Sequence, residues 1–382
     1  MRRNSQTMSA ISLFQPAPVR NTDAATRTKR SALLVGSLPF ADEESCMNYA
    51  LDLLGPALFC LPDGEIGDKT PAFPKGNRIA WVVYALEKLT QDTDSWQVVK
   101  QPVRSLNDGM AIDYDSFQKL KPLYSVADMP HHVTLGYDEF FRRSYPVFQR
   151  LRQQHELPDL KFQLGVPTGF AMGFAFANPI TWLRYTNAFN TVIAREVNAA
   201  LAEAAHDLIV QIEVPPELYA AYKLPTPLLG LTLNPILDLL NKIAPGAQIG
   251  MHLCLGDFHN EALVHPKTLD KMVAFSNRLV EAWPQQHQLV YVHYPFAEGA
   301  VPPTTDSRYY APLASIQLPT RTRFVAGFVH EKRSLAEHRH ILDSIETALG
   351  QAVDVASSCG LGRRTPEVAI ELLSMSARLT GI

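Results

Sequence analysis

Short apolar runs of β-prone residues recur along this chain, and most are followed by amphipathic stretches with helical spacing. The runs are Ala32–Ser37, Ala57–Leu61, Lys161–Val166, Asp207–Glu213, Ala247–Cys254, Gln288–His293, Arg323–Val329 and Val353–Ser357. Each is mostly apolar rather than alternating, as a parallel strand covered on both faces must be. Parallel neighbours need a crossover, and Pro179–Ala205, Asn234–Ile243, Pro266–Trp283, Ser334–Leu349 and Pro366–Leu379 read as the helices that supply it. Ser334 with Glu337 has the spacing of a capping box, and Pro366 suits a first helical turn. The pattern predicts an α/β fold: a single (β/α)8 TIM barrel over residues 31–382. A doubly wound sheet is the competing arrangement. It needs a glycine-rich phosphate loop after the first strand, and Val35-Gly36-Ser37-Leu38-Pro39-Phe40 is not GxGxxG.

Between the early strands, Glu87 to Arg150 is longer than a βα connection requires. It reads as an insertion with a hairpin around Trp96–Gln101, a poorly ordered lid and a helix near Tyr137–Gln153, on the side where barrels bind substrate. Residues 1–30 are rich in Arg, Ser, Thr and Pro, have Asp23 as their only acid, and show no periodicity. They read as a disordered tail, with an organelle transit peptide as the alternative.

A chain of 382 residues, 46% hydrophobic, can bury a large core. Its net charge of -3 gives no footprint for nucleic acid. The longest apolar stretch, Leu224–Leu240, is broken by Pro225, Pro227 and Pro235, so no membrane span is expected. Cys46, Cys60, Cys254 and Cys359 form no CxxC pair and no disulfide framework. Reduced thiols and a cytoplasmic location are expected.

In a barrel, polar residues at the carboxyl ends of strands converge on one mouth. Such positions hold Ser37, Glu65, Glu213, His252, Cys254, His293, His330 and Cys359. His252 and Cys254, two apart, would project to the same side of a strand, and Cys359 could join them from another. Mixed imidazole and thiolate ligands point to Zn²⁺. Buried core cysteines are the bland alternative.

In the same order along the chain, Val35-Gly36-Ser37-Leu38-Pro39, Asp63-Gly64-Glu65, Gln211-Ile212-Glu213-Val214-Pro215, Met251-His252-Leu253-Cys254, Gly327-Phe328-Val329-His330 and Ser358-Cys359-Gly360-Leu361-Gly362-Arg363 form a series. It resembles the landmarks of the catalytic C-terminal barrel of cobalamin-independent methionine synthase, in the superfamily shared with uroporphyrinogen decarboxylase. The resemblance runs from about Ser31 to the C-terminus. It implies a zinc-dependent alkyl or methyl transferase in which a homocysteine-like small thiol is activated on the metal and attacks an alkyl donor. It implies His252, Cys254 and Cys359 as ligands, His330 as proton donor to the leaving group, and Ser37, Glu65 and Glu213 as contacts for the amino-acid thiol.

The family's fourth ligand is a glutamate at the end of the next strand. Here that place holds His293, with Glu298 in the following loop. His293 is the expected fourth ligand, a core or substrate-contact histidine the alternative. Two His and two Cys would carry less negative charge than the family's set and give a stronger Lewis acid. On the donor side, Phe170, Phe174 and Phe176 offer stacking surfaces or core packing. His338 and His340, on the next helix, read as solvated. The departure at His293 keeps a second reaction class open, a zinc lyase or hydrolase using metal-bound water. A non-enzymatic zinc-stabilised barrel is a third reading, and Arg308, Arg363 and Arg364 leave a decarboxylase open.

Overall fold

The computed structural model describes residues 29–78 and 81–382. The expected tail therefore falls almost wholly outside the described residues. Within them, eight strands form one parallel sheet: β1 Ala32–Leu33, β2 Cys60–Pro62, β5 Lys161–Pro167, β6 Leu208–Glu213, β7 Gln248–His252, β8 Gln288–Pro295, β9 Arg323–Val329 and β10 Asp354–Ser357. Their order is β1-β10-β9-β8-β7-β6-β5-β2, and a parallel bridge between Ala32 and Leu58 draws the two edges together. Each expected strand is present, and the sheet curls into the expected barrel. The remaining pair, β3 Trp96–Lys100 and β4 Lys119–Pro122, is an antiparallel hairpin outside the barrel.

Helices cover the outside: α1 Glu43–Leu54, α2 Trp81–Gln91, α3 Met129–His132, α4 Tyr137–Gln154, α5 Pro179–Ala204, α6 Pro215–Lys223, α7 Asn234–Lys242, α8 Asp270–Glu281, α9 Leu335–Leu349 and α10 Pro366–Thr380. Strand burial explains the apolar runs: every residue of β6 is buried, and so are six of the seven in β9. Among the described residues no helix is long and apolar enough to cross a membrane.

Inside the barrel, Leu33, Cys60, Ile209, Tyr291, Val325 and Ala356 form an apolar cluster. A polar girdle accompanies it. Gln163 Nε2 donates to the carbonyls of Leu34 (3.0 Å) and Val35 (2.9 Å), Gln211 Nε2 to Val35 (2.6 Å) and to Glu213 (2.9 Å), and the Tyr291 hydroxyl to Gln211 (2.7 Å). These bonds satisfy amides that would be costly to bury bare, and they fix Glu213 at the end of β6.

The insertion departs from its expected form at the lid. The loop between β3 and β4 is tied down: Arg104 pairs with Glu87, Gln118 Nε2 donates to Glu87 (3.0 Å) and Thr90 (3.1 Å), and the Ala111 carbonyl lies 2.7 Å from His259 Nε2. An expected loose cover is instead a bonded part of the wall.

Candidate metal centre

Three adjacent strands, β6, β7 and β8, bring one layer of polar residues together. Their register pairs Glu213 with His252, and His252 with His293. The His252 and His293 rings meet Nδ1 to Nδ1 at 2.7 Å, both fully buried. His293 Nε2 lies 2.9 Å from the carbonyl of Ser357 on β10. Between them on β9 sits Gly327, where a Cβ would fall 2.4 Å from His293 Nε2, so this close approach needs glycine.

The proton positions follow from partners. A carbonyl can only accept, so His293 Nε2 carries the hydrogen and donates to Ser357. Burial holds the His293 pKa down at about 4, so the ring is neutral and its Nδ1 is a lone pair. His252 Nδ1 must then donate to it, which leaves His252 Nε2 bare. That atom is buried without a hydrogen-bond partner.

Cys254 is not on the strand, as its expected geometry required. β7 ends at His252, and the Cys254 N–H folds back to the His252 carbonyl at 2.9 Å. This tight turn, rather than strand alternation, aims the thiol inward. Gly256 N–H then donates to Cys254 Sγ at 3.3 Å. Cys359, two residues beyond β10, places its Sγ 3.9 Å from that of Cys254. A Cβ on Gly360 would lie 2.3 Å from Ser37 Oγ, so the glycine after Cys359 lets this loop close on the end of the first βα unit.

One ligand atom from each of His252, Cys254 and Cys359 lies within 4.8 Å of the others. Two thiolates about 2.3 Å from a tetrahedral zinc would stand about 3.8 Å apart, close to the separation found. The bare imidazole nitrogen and the thiol pair therefore fit a zinc ion. His293 is not in the cluster: its two nitrogens are spent on His252 and Ser357.

Two charged residues flank the site: Asp257, which the sequence reading missed, and Arg363, to which it gave no part in the metal site. Arg363 donates through Nε to Asp257 at 3.0 Å and reaches Cys359 Sγ through Nη2 at 3.7 Å. Asp257 follows Cys254 by three positions and Arg363 follows Cys359 by four, so each candidate ligand loop carries half of the pair. The loops face a cavity of about 110 Å³ lined also by Ser37, Glu65 and Glu213. Glu65 is held in the left-handed region at φ 53° beside Asp63, whose Oδ1 accepts its N–H at 3.0 Å. Burial, and next the Glu213 charge, push the Glu65 carboxyl well above the usual range. Burial would raise Asp63 too, but Arg78 and Ser144, each 2.7 Å away, outweigh it and hold Asp63 low.

His330 stands apart. It is buried at the end of β9 and does not line the cavity. Its Nδ1 accepts from Lys332 N–H at 3.1 Å, and its Nε2 is buried without a partner. Burial lowers its pKa to about 4. His338 corrects an expectation: it is fully buried, accepting the His330 N–H at 3.1 Å, whereas His340 is exposed.

Of the three phenylalanines, Phe174 lines the cavity, Phe176 packs on Trp96, Tyr185 and Phe189, and Phe170 on Trp182. The sequence reading missed Tyr114 and Phe117 of the insertion and Phe258 after β7, which line the cavity with Phe174.

No protein-family profile matches the sequence, and no curated protein matches it. Among solved structures, the fold is similar to a B12-independent methionine synthase from Shewanella sp. W3-18-1, determined in complex with selenomethionine. The TM-score is 0.57 at 10% identity, over 92% of this chain and 97% of that one. At that identity the likeness establishes a shared barrel architecture.

Proposed function

We propose that this chain is a zinc-dependent transferase that alkylates a small, homocysteine-like thiol. The observation that carries the reading is the bare, buried Nε2 of His252 beside two thiols 3.9 Å apart, at the wall of a carboxylate-lined cavity. The barrel shared with a methionine synthase supports it. Zinc, when bound, would lower the pKa of the acceptor thiol so that it is a thiolate near neutral pH. The chain's own residues do the rest. His252, Cys254 and Cys359 hold the ion, three protein ligands being the set that leaves a position open to substrate. His293 acts behind them, fixing the tautomer of His252 so that Nε2 is the ligating atom. Glu65 and Glu213, which repel each other when both are charged, hold the ammonium of the amino-acid thiol, with Ser37 beside them.

Metal analysis of the purified protein tests this. The wild type is expected to hold about one zinc per chain, and Cys254→Ser and Cys359→Ser to lose it. Full zinc occupancy in both variants would refute the site.

A further inference from the structure

The cavity has an aromatic roof. Tyr114 lies 5.6 Å from Phe174 and 5.1 Å from Phe258, and Phe117 lies 6.0 Å and 5.2 Å from the same two rings, centroid to centroid. Four rings from three separate segments thus converge on one wall of the cavity that Cys254 and Cys359 also line. Apart from the thiols, the ionisable groups lining the cavity are Glu65, Glu213, Asp257, the Tyr114 phenol and Arg363, the only basic side chain there among the described residues. Arg363 is already bound to Asp257. A polyanionic donor would meet acids and ring faces.

We propose that the alkyl donor is an onium cation, a methylsulfonium or a quaternary ammonium compound, whose charged centre lies against Tyr114, Phe117, Phe174 and Phe258. The inference rests on the thiol-alkylating reading above. Ring faces attract such cations through their quadrupoles, and acids nearby add to that attraction. The chemistry balances without further reactants. The acceptor thiolate forms a C–S bond to the alkyl carbon. The bond from that carbon to the positive sulfur or nitrogen breaks, its electron pair returns to the heteroatom, and a neutral sulfide or amine departs. No proton is needed, which agrees with the placement of His330 away from the cavity.

Calorimetric titration of the zinc-loaded protein with choline and with its neutral isostere 3,3-dimethylbutanol tests the roof. Choline is expected to bind at least about tenfold tighter, and Phe174→Leu and Phe258→Leu each to weaken it by about 5- to 30-fold with folding intact by thermal melting. Equal affinities, or no choline binding to fully metallated protein, would overturn the proposal. Methyl transfer to homocysteine, followed by mass spectrometry, separates the sources: S-methylmethionine as donor indicates a sulfonium, glycine betaine an ammonium. Transfer from 5-methyltetrahydrofolate alone would also overturn it. If the cobalt-substituted protein binds choline but shows no spectral change on adding homocysteine, the thiol reading fails and the cation site stands.

Discussion

His252 can reach a metal only through the ring nitrogen that does not hold His293, so the second histidine decides the chemistry of the first. Loss of such outer partners typically costs 10- to 100-fold in metal affinity. His293→Ala is therefore expected to weaken zinc binding by about that factor in a chelator competition, whereas Cys254→Ser abolishes it. Unchanged affinity in His293→Ala would remove it from the site. A second residue gives a stability prediction away from the metal. Glu217 is fully buried, bonded by the Thr168 hydroxyl, and burial raises its pKa from 4.5 to about 7. The folded chain keeps that proton to near pH 7, while the unfolded chain releases it near 4.5. The contribution is complete below pH 4.5 and is lost as pH rises through 7, up to about 3 kcal/mol. Glu217→Gln should match the wild type in thermal melting near pH 4.5 and exceed it at pH 8. A lower melting point at pH 8 would contradict this assignment.

Strands of this barrel were readable because both faces are covered, which makes each one an apolar run. The capping box was readable for a comparable local reason. Ser334 Oγ accepts Glu337 N–H at 3.3 Å, and Glu337 returns a bond to Ser334 N–H at 2.8 Å. Ser334→Ala is expected to cost about 1 kcal/mol in chemical denaturation, with no change in metal content. The element ends were less legible. Cys254 sits in a turn whose bond to the His252 carbonyl no periodicity encodes, and it reaches the ligand cluster by a route other than strand alternation. Asp257 and Arg363 belong to loops that meet only after folding, as do Tyr114, Phe117, Phe174 and Phe258. His293 lies on β8, two residues before that strand ends, yet its partners lie on β7 and β10, where sequence spacing cannot see them.

At the scale of the molecule, the curl of the sheet brings the loops after β7 and β10, with Cys254 and Cys359, together. Arg30 clamps the junction of β1 with β10, donating to the carbonyls of Val353 (2.8 Å) and Leu379 (3.1 Å) and pairing with Glu346. Ser31 N–H and Arg323 both bind Asp354, each at 2.8 Å. Arg30→Ala removes the guanidinium donor to the Val353 and Leu379 carbonyls and should cost about 1–3 kcal/mol in urea unfolding. The two candidate cysteine ligands lie in loops 105 positions apart in sequence, so a bound metal should stabilise the closed barrel against heat, and chelation should lower its melting point. The central claim, that the three ligands leave a place for a substrate thiol, is tested most directly by zinc K-edge X-ray absorption with and without homocysteine. The account predicts two sulfur neighbours at about 2.3 Å in the free protein and three when the thiol is present. A sulfur count that stays at two would contradict it.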